Sequence, residues 1–446
     1  MVGMSSAPVP TIPHHSLLVF LLQVAVLLLL ATALGQLAAR FHLPAIVGEL
    51  LAGVIVGPSL LSHVWPALAD WLLPKEPGQL HLLDAVGQLG VVLLVGITGM
   101  ELKFDLVRRR GATAVRVSLA GLLLPLGLGV GMGYLLPASL IPGGTSPTVF
   151  SLFLGVAMCV TAIPVIAKTL IDMNLLHRDI GQLTLAAGVF DDVVGWFLLS
   201  IVSAMATAGL TTGTIATALL YPVGVVVTAW LVGRPLVKWA LRAAGRSASP
   251  APTIAVVTLI VLLGAAATQA LRLEAVFGAF VCGVLIGTSG ELDGKKLAPL
   301  RTTVLAFLAP VFFATAGIRM DLSALARPTV LATACAVLAV AILGKFVGAY
   351  VGAKMSGLGR WEALALGAGM NCRGVIEIVV AMVGLQLGVL GAETYTIIIL
   401  VAIVTSLMAP PILRFATARI DENAEAEMAR ADTMTRDLAS QPPASV

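Results

Sequence analysis

Thirteen long apolar runs divide this chain, at roughly 16–34, 43–61, 84–100, 114–135, 148–168, 181–207, 214–233, 252–270, 273–289, 302–318, 329–351, 362–386 and 390–413. A helix rises about 1.5 Å per residue, so runs of about 17–27 residues are the length that crosses a hydrocarbon core of about 30 Å. They are too long for the roughly ten-residue strands of a membrane barrel. Charged residues make up 11% of the 446 and hydrophobic ones 59%, against roughly 25% charged in a soluble domain. The expectation is an all-α polytopic membrane protein of about 13 transmembrane helices. Aromatics are only 5% while glycines number 45, a composition suited to closely packed membrane helices.

The net charge of +4 would suggest nucleic acid in a soluble protein. Here the basic residues lie in short loops between apolar runs, so they report topology and no nucleic-acid partner is expected. One side collects Arg40, Lys103, Arg108, Arg109, Arg110, Arg116, Lys168, Arg178, Arg234, Lys238, Arg242, Arg246, Lys295, Lys296, Arg301, Lys354 and Arg360; the other has Lys75, Arg272, Arg319 and Arg327. This asymmetry places the first side in the cytoplasm and predicts a multi-pass protein of the cell membrane with its N-terminus outside and its C-terminus inside. The start "MVGMSSAPVPTIPHHS" lacks the positively charged n-region of a cleaved signal peptide. The tail 414–446 reads as charged, cytoplasmic and mostly disordered beyond a short helix. No nucleotide-binding domain or Gly-rich phosphate loop is expected after the last run. Cys159, Cys282 and Cys372 fall within apolar runs and read as small buried residues.

The chain repeats itself. "LPAIVGELLAGVIVG" (43–57) and "LEAVFGAFVCGVLIG" (273–287) agree at six of fifteen positions, and "GMELKFDL" (99–106) resembles "GIRMDL" (317–322). The second run thus corresponds to the ninth and the third to the tenth. An offset of seven runs makes the copies enter the membrane in opposite senses, the pattern of inverted-repeat secondary transporters. The expected divisions are an outer arm 1–15, a first six-helix repeat 16–207, a linker helix and cytoplasmic loop 208–251, a second repeat 252–413 and the tail.

The sixth run carries Asp191 and Asp192 side by side in "GVFDDVVGW". A charge at mid-membrane costs about 2.5–3.5 kcal/mol on insertion scales, so each needs a partner or a task. Neighbouring side chains leave a helix about 100° apart, so at most one aspartate points straight at a given partner. Adjacent carboxylates also oppose each other's ionisation, which suits a site that holds either a proton or a monovalent cation. Lys345, nine residues before Lys354 and so roughly 13 Å along its helix, is the candidate counter-charge. An Asp191–Lys345 pair would either lock two helices together or take part in proton and cation exchange.

Two runs look interrupted at equivalent places in the repeats. "MCVTAIPVIAKTL" (158–170) contains Thr161 and Pro164, and "GAGMNCRGVIEIVV" (367–380) contains Asn371, Arg373, Gly374 and Glu377. Paired broken helices point to a midplane binding site. Thr161 would ligate a cation or bond the carbonyl a turn back. Arg373 and Glu377 are spaced to pair along one face, more as a structural tie than as cation ligands. Glu49 would line an entry funnel or pair with a basic loop. Glu101, Asp105, Arg319 and Asp321 read as helix-end charges.

"LPAIVGELLAGVIVGPSLL" (43–61), "FDDVVGW" (190–196), "GKFVGAYVG" (344–352) and "MNCRGVIEIVV" (370–380) resemble the monovalent cation:proton antiporter-2 family, over roughly residues 15–415. That resemblance implies a thirteen-helix homodimer whose core domain moves like an elevator against a dimerisation domain. It implies Asp192 as the main cation and proton carboxylate, Asp191 as a partner of Lys345 released on cation binding, and Thr161 with the unwound backbone completing the site. The implied substrates are Na⁺ or K⁺ and H⁺, with no cofactor. The glutathione-gated potassium branch of the family has glutamine for the first aspartate and a C-terminal nucleotide-binding domain; this chain departs from both and looks like the electrogenic sodium/proton branch. The rival readings are a proton-coupled exporter of an organic solute or drug, for which the aromatics are scarce, and a cation channel. Enzymatic motifs are lacking: no HExxH, paired-cysteine ligand set or nucleophile motif occurs.

Overall fold

The computed structural model describes residues 12–439 except 42, 75–76, 103, 174, 176–177 and 210–211. Lys75, Lys103 and most of the arm 1–15 therefore lie outside the described residues, as do the side chains of Pro164 and Lys168. Every regular element among the described residues is helical. In chain order the principal helices are His14–Arg40, Ala45–Val56, Pro77–Glu101, Phe104–Leu135, Pro147–Cys159, Ile163–Asp172, Asp179–Ala208, Thr212–Thr228, Arg234–Gly245, Ala251–Ala270, Ala275–Gly287, Gly294–Thr303, Ala309–Ile318, Pro328–Met355, Arg360–Met370, Val375–Gln386 and Ala392–Ala439. Among the described residues ten helical stretches are long and apolar enough to cross a membrane, or eleven when the bent pair Arg360–Met370 and Val375–Gln386 counts as one. The shorter helices Pro147–Cys159 and Ala275–Gly287 are equally apolar. The protein is thus an all-α polytopic membrane protein.

The two interruptions have local causes. Pro164 has no N–H to offer the carbonyl four residues back, and Val160 turns extended (φ −78°, ψ 152°) before the helix resumes at Ile163. In the second run the pair bends by 41° between Met370 and Val375. Gly374 is needed there because a Cβ would stand 2.9 Å from Val165 Cγ2 and 3.1 Å from Ala162 Cβ. The two breaks therefore meet.

Around this crossing the helices pack in a reciprocal pattern. A Cβ at Gly53 would lie 1.9 Å from the Ala314 carbonyl oxygen, and one at Gly317 would lie 2.1 Å from that of Leu50. A Cβ at Gly283 would lie 2.2 Å from the Gly96 oxygen, and one at Gly99 would lie 2.6 Å from that of Phe280. In the aligned repeats Gly53 matches Gly283 and Gly99 matches Gly317. Each interface thus uses equivalent glycines with the two copies exchanged. Pro77–Glu101 runs antiparallel to Gly294–Ile318, pinned by Glu101–Arg301 (2.7 Å) at one end and Asp84–Arg319 at the other. The helix-end charges Glu101 and Arg319 so join two helices, while Asp321 caps the Leu322–Ala326 turn by accepting from the Ser323 N–H at 3.0 Å.

The outermost helices, His14–Arg40 and Ala216–Gly245, bury little of their length and present leucines and valines outward, the surface a bilayer requires. Two regions differ from the sequence expectation. The last helix continues to Ala439 instead of ending in a short tail helix, because the alanines, glutamates, methionines and arginines of the tail are strong helix formers even without an apolar face. Cysteine burial is also uneven: Cys159 and Cys372 are buried, Cys282 is partly buried, and a fourth, Cys335, is exposed on Pro328–Met355.

Gly283→Leu should lower the midpoint of thermal unfolding in detergent by the equivalent of about 1–3 kcal/mol of overpacking. Gly224→Leu, where nothing lies within 4 Å of an added Cβ, should leave it nearly unchanged. Size-exclusion chromatography after heating checks both.

Candidate functional site

The unwound segments satisfy each other before any side chain is considered. The Ala162 N–H donates to the Cys372 carbonyl at 3.0 Å, and the Thr161 hydroxyl lies 3.0 Å from the Met370 carbonyl. A helix leaves its last carbonyls without intrahelical donors and its C-terminus partly negative. At Pro147–Cys159 two buried cations meet that end. Lys345 Nζ donates to the Cys159 carbonyl at 2.5 Å, while Arg373 reaches those of Ala157 (2.9 Å) and Met158 (2.7 Å).

Asp191 is saturated. Its Oδ2 pairs with Lys345 Nζ and lies 2.7 Å from the Thr161 hydroxyl, and its Oδ1 accepts from Ser118. Thr161 thus turns toward Asp191 and Met370 instead of the carbonyl one turn back. The hydroxyl has a single proton to share between those two acceptors. Asp191, Asp192, Lys345 and Arg373 all have 0% relative exposure. Burial of both partners places the Asp191–Lys345 attraction in a low dielectric, where losing either partner is costly.

Asp192 has the opposite environment. Both of its carboxylate oxygens are buried and, among the described residues, no side chain hydrogen-bonds to either; the Ile163 N–H at the start of the resumed helix is directed at the carboxylate. The helical offset separates the two acids: Asp191 faces Phe104–Leu135 and Pro328–Met355, and Asp192 stands free beside the break. In the second break the Asn371 Oδ1 is likewise buried and, among the described residues, unpartnered. An ionised carboxylate left bare in such a place is unfavourable by several kcal/mol, so it must hold a proton or a cation.

The remaining sequence candidates fall around this centre. Arg373 and Glu377 make the pair their spacing predicts, at 3.2 Å, and Arg373 adds the Ala341 carbonyl at 3.1 Å while Ser406 donates to its own carbonyl. Arg373 therefore ties three helices together through backbone oxygens. Pro164 supplies the break through its backbone. Glu49 is half-buried and lies against Gly35 of the first helix. Ser118 is the group the sequence does not flag: the one available signal is a lone hydroxyl in the apolar stretch "VRVSLAGLLLP". Among the described residues no group of three or more His, Cys, Asp or Glu is arranged to hold a metal ion.

Comparison with known proteins agrees with this geometry. Residues 24–419 match the family described as sodium/hydrogen exchanger, transmembrane. The chain is 33% identical over 405 residues to the Na⁺/H⁺ antiporter NhaS4 of Synechocystis sp., covering 90% of this chain and 97% of that protein. It is 30% identical over 396 residues to the cation/H⁺ antiporter 18 of Arabidopsis thaliana, covering 88% of this chain but 48% of that longer protein. Among solved structures, the sodium proton antiporter MjNhaP1 of Methanocaldococcus jannaschii shares the fold, with a TM-score of 0.67 and 17% identity over 90% of this chain and 99% of that one.

Lys345→Met strands a buried carboxylate and should destabilise the protein by about 3–5 kcal/mol. Adding Asp191→Asn to it should recover most of that loss. Unfolding midpoints of the single and double variants in detergent check the coupling; equal midpoints would show that the two residues do not share an interaction.

Proposed function

The chain belongs to the sodium/hydrogen exchanger family, whose members are transporters and not enzymes, and on that premise we propose that it exchanges Na⁺ or K⁺ for protons at Asp192. The observation that carries this reading is the contrast within the aspartate pair: Asp191 is bonded to three side chains, and Asp192 is buried with no side-chain partner on either oxygen. A protonated Asp192 is neutral and can move with its helices between the two sides. A cation bound there restores the same neutrality, with Asn371 Oδ1, the Thr161 hydroxyl and the carbonyls of the breaks as further oxygen ligands. Proton and cation compete for one carboxylate, and the bare ionised state is too costly to move. Competition of this kind produces obligatory exchange by alternating access, driven by the gradients alone.

The Asp191–Lys345 pair supplies a second titrating unit. If cation binding draws Asp191 away from Lys345, the lysine can release a proton of its own. Two protons then exchange for one cation, and transport is electrogenic. Glu49 on this reading lines the cytoplasmic approach.

The two shorter apolar helices, counted with the long ones, support a reading of thirteen crossings. The reciprocal glycine interfaces support two inverted six-helix repeats, 16–207 and 252–413, joined through the linker 208–251. The excess of basic residues on one side supports an outer N-terminus and a cytoplasmic tail. The weakly buried apolar faces of His14–Arg40 and Ala216–Gly245 are where a homodimer would form. Their helices, with Ala251–Ala270, would form the static unit against which the broken-helix core moves.

In proteoliposomes with an imposed pH gradient, addition of Na⁺ or K⁺ should dissipate the gradient and move net charge across a voltage-sensitive assay. Asp192→Asn should abolish both signals at wild-type protein density. Exchange insensitive to membrane voltage would remove the two-proton stoichiometry, and an unaffected Asp192→Asn would remove the site.

A further inference from the structure

Asp192 heads a line of buried polar groups on one face of Asp179–Ala208. Trp196, Ser200 and Ser203 follow it at offsets of four, eight and eleven residues, all within about 80° of one another around the helix. Trp196 Nε1 and Ser200 Oγ are buried and, among the described residues, have no hydrogen-bond partner, while the buried Ser203 hydroxyl is directed at the Glu274 carboxylate. Buried polar groups are nearly always bonded, so two unbonded ones on a stripe that joins Asp192 to Ser203 mark a place for water or a passing ion. The stripe spans about 16 Å along the helix.

Its far end meets a charged residue in a cavity. Ser203 faces the Glu274 carboxylate, and Glu274 lines a cavity of about 500 Å³ between Pro77–Glu101, Ala251–Ala270 and Val375–Gln386. Gln88, Gln269 and Gln386 also line it, and Glu274 is its one charged side chain among the described residues. At the near end the Trp196 ring sits 6.0 Å from that of Phe280. Phe280 belongs to Ala275–Gly287, the helix that begins immediately after Glu274.

We infer that this cavity and stripe form the approach from the outer face to Asp192, with Glu274 as a cation-attracting station at its mouth and the Trp196–Phe280 contact closing it next to the site. A lone carboxylate among amides concentrates monovalent cations and protons by field without trapping them. This inference rests on the exchange reading for the identity of the ion. The physical claim is a hydrated, negatively focused path, and it is read independently of transport.

In a chain with its four cysteines replaced by serine or alanine, Ser203→Cys and Ser200→Cys are titrated in oriented vesicles with two small thiosulfonates, one cationic and one neutral. Gln269→Cys, on the cavity wall, serves as the reference. Both stripe positions should react from the outer face, and the cationic reagent should lose several-fold of its rate advantage when Glu274→Gln is added. Ser203→Cys unreactive while Gln269→Cys reacts would show a dry stripe and overturn the path. A rate ratio unchanged by Glu274→Gln would overturn the role of the carboxylate. Loss of exchange activity bears on neither readout, and an Asp192→Asn variant that still exchanges would overturn the transport reading alone.

Discussion

Everything near the centre of this protein depends on one low-dielectric contact, the Lys345 ammonium set between the Asp191 carboxylate and the end of a broken helix. That ammonium satisfies two needs at once, a carboxylate without water and a helix C-terminus without donors. Arg373 does the same for the two carbonyls before it. Neither cation would be tolerable at mid-membrane without those acceptors. Neither break would be tolerable without the cations and the crossing hydrogen bonds between Ala162 and Cys372. Charge and unwinding are each affordable only in the presence of the other.

Against that fully satisfied background, Asp192 is set apart by a single step along a helix. The 100° offset that gives Asp191 three side-chain partners gives Asp192 none beyond the backbone of the break. On the proposed reading, function arises from that asymmetry: a group that must be neutralised, in a setting that leaves a proton or a cation to do it. The antiport reading needs no gate that senses both ions, because one carboxylate cannot hold both together.

Much of this was legible in the sequence. The apolar runs announced the helices because the bilayer fixes their length, and Pro164 with the polar cluster at Asn371–Glu377 announced the breaks. Asp191, Asp192 and Lys345 stood out because charge is so rare in the runs. Ser118 did not, since a membrane helix can satisfy a serine on its own backbone and only the fold shows it bonded to Asp191. Which aspartate would be bare was likewise invisible from spacing alone; it follows from where the neighbouring helices pack. The tail read as unstructured because it lacks an apolar face, yet its residues favour a helix intrinsically. The polar stripe beyond Asp192 emerged only once Trp196 and Ser200 could be seen to lack partners and Ser203 to face Glu274.

The central claim is that proton and cation occupy Asp192 in turn. Its most direct test is proton release from the purified protein in weakly buffered detergent solution as Na⁺ or K⁺ is added. Saturable release in the wild type that vanishes in Asp192→Asn is the result expected. Cation addition that releases no proton from the wild type, or as many from Asp192→Asn, would contradict the account.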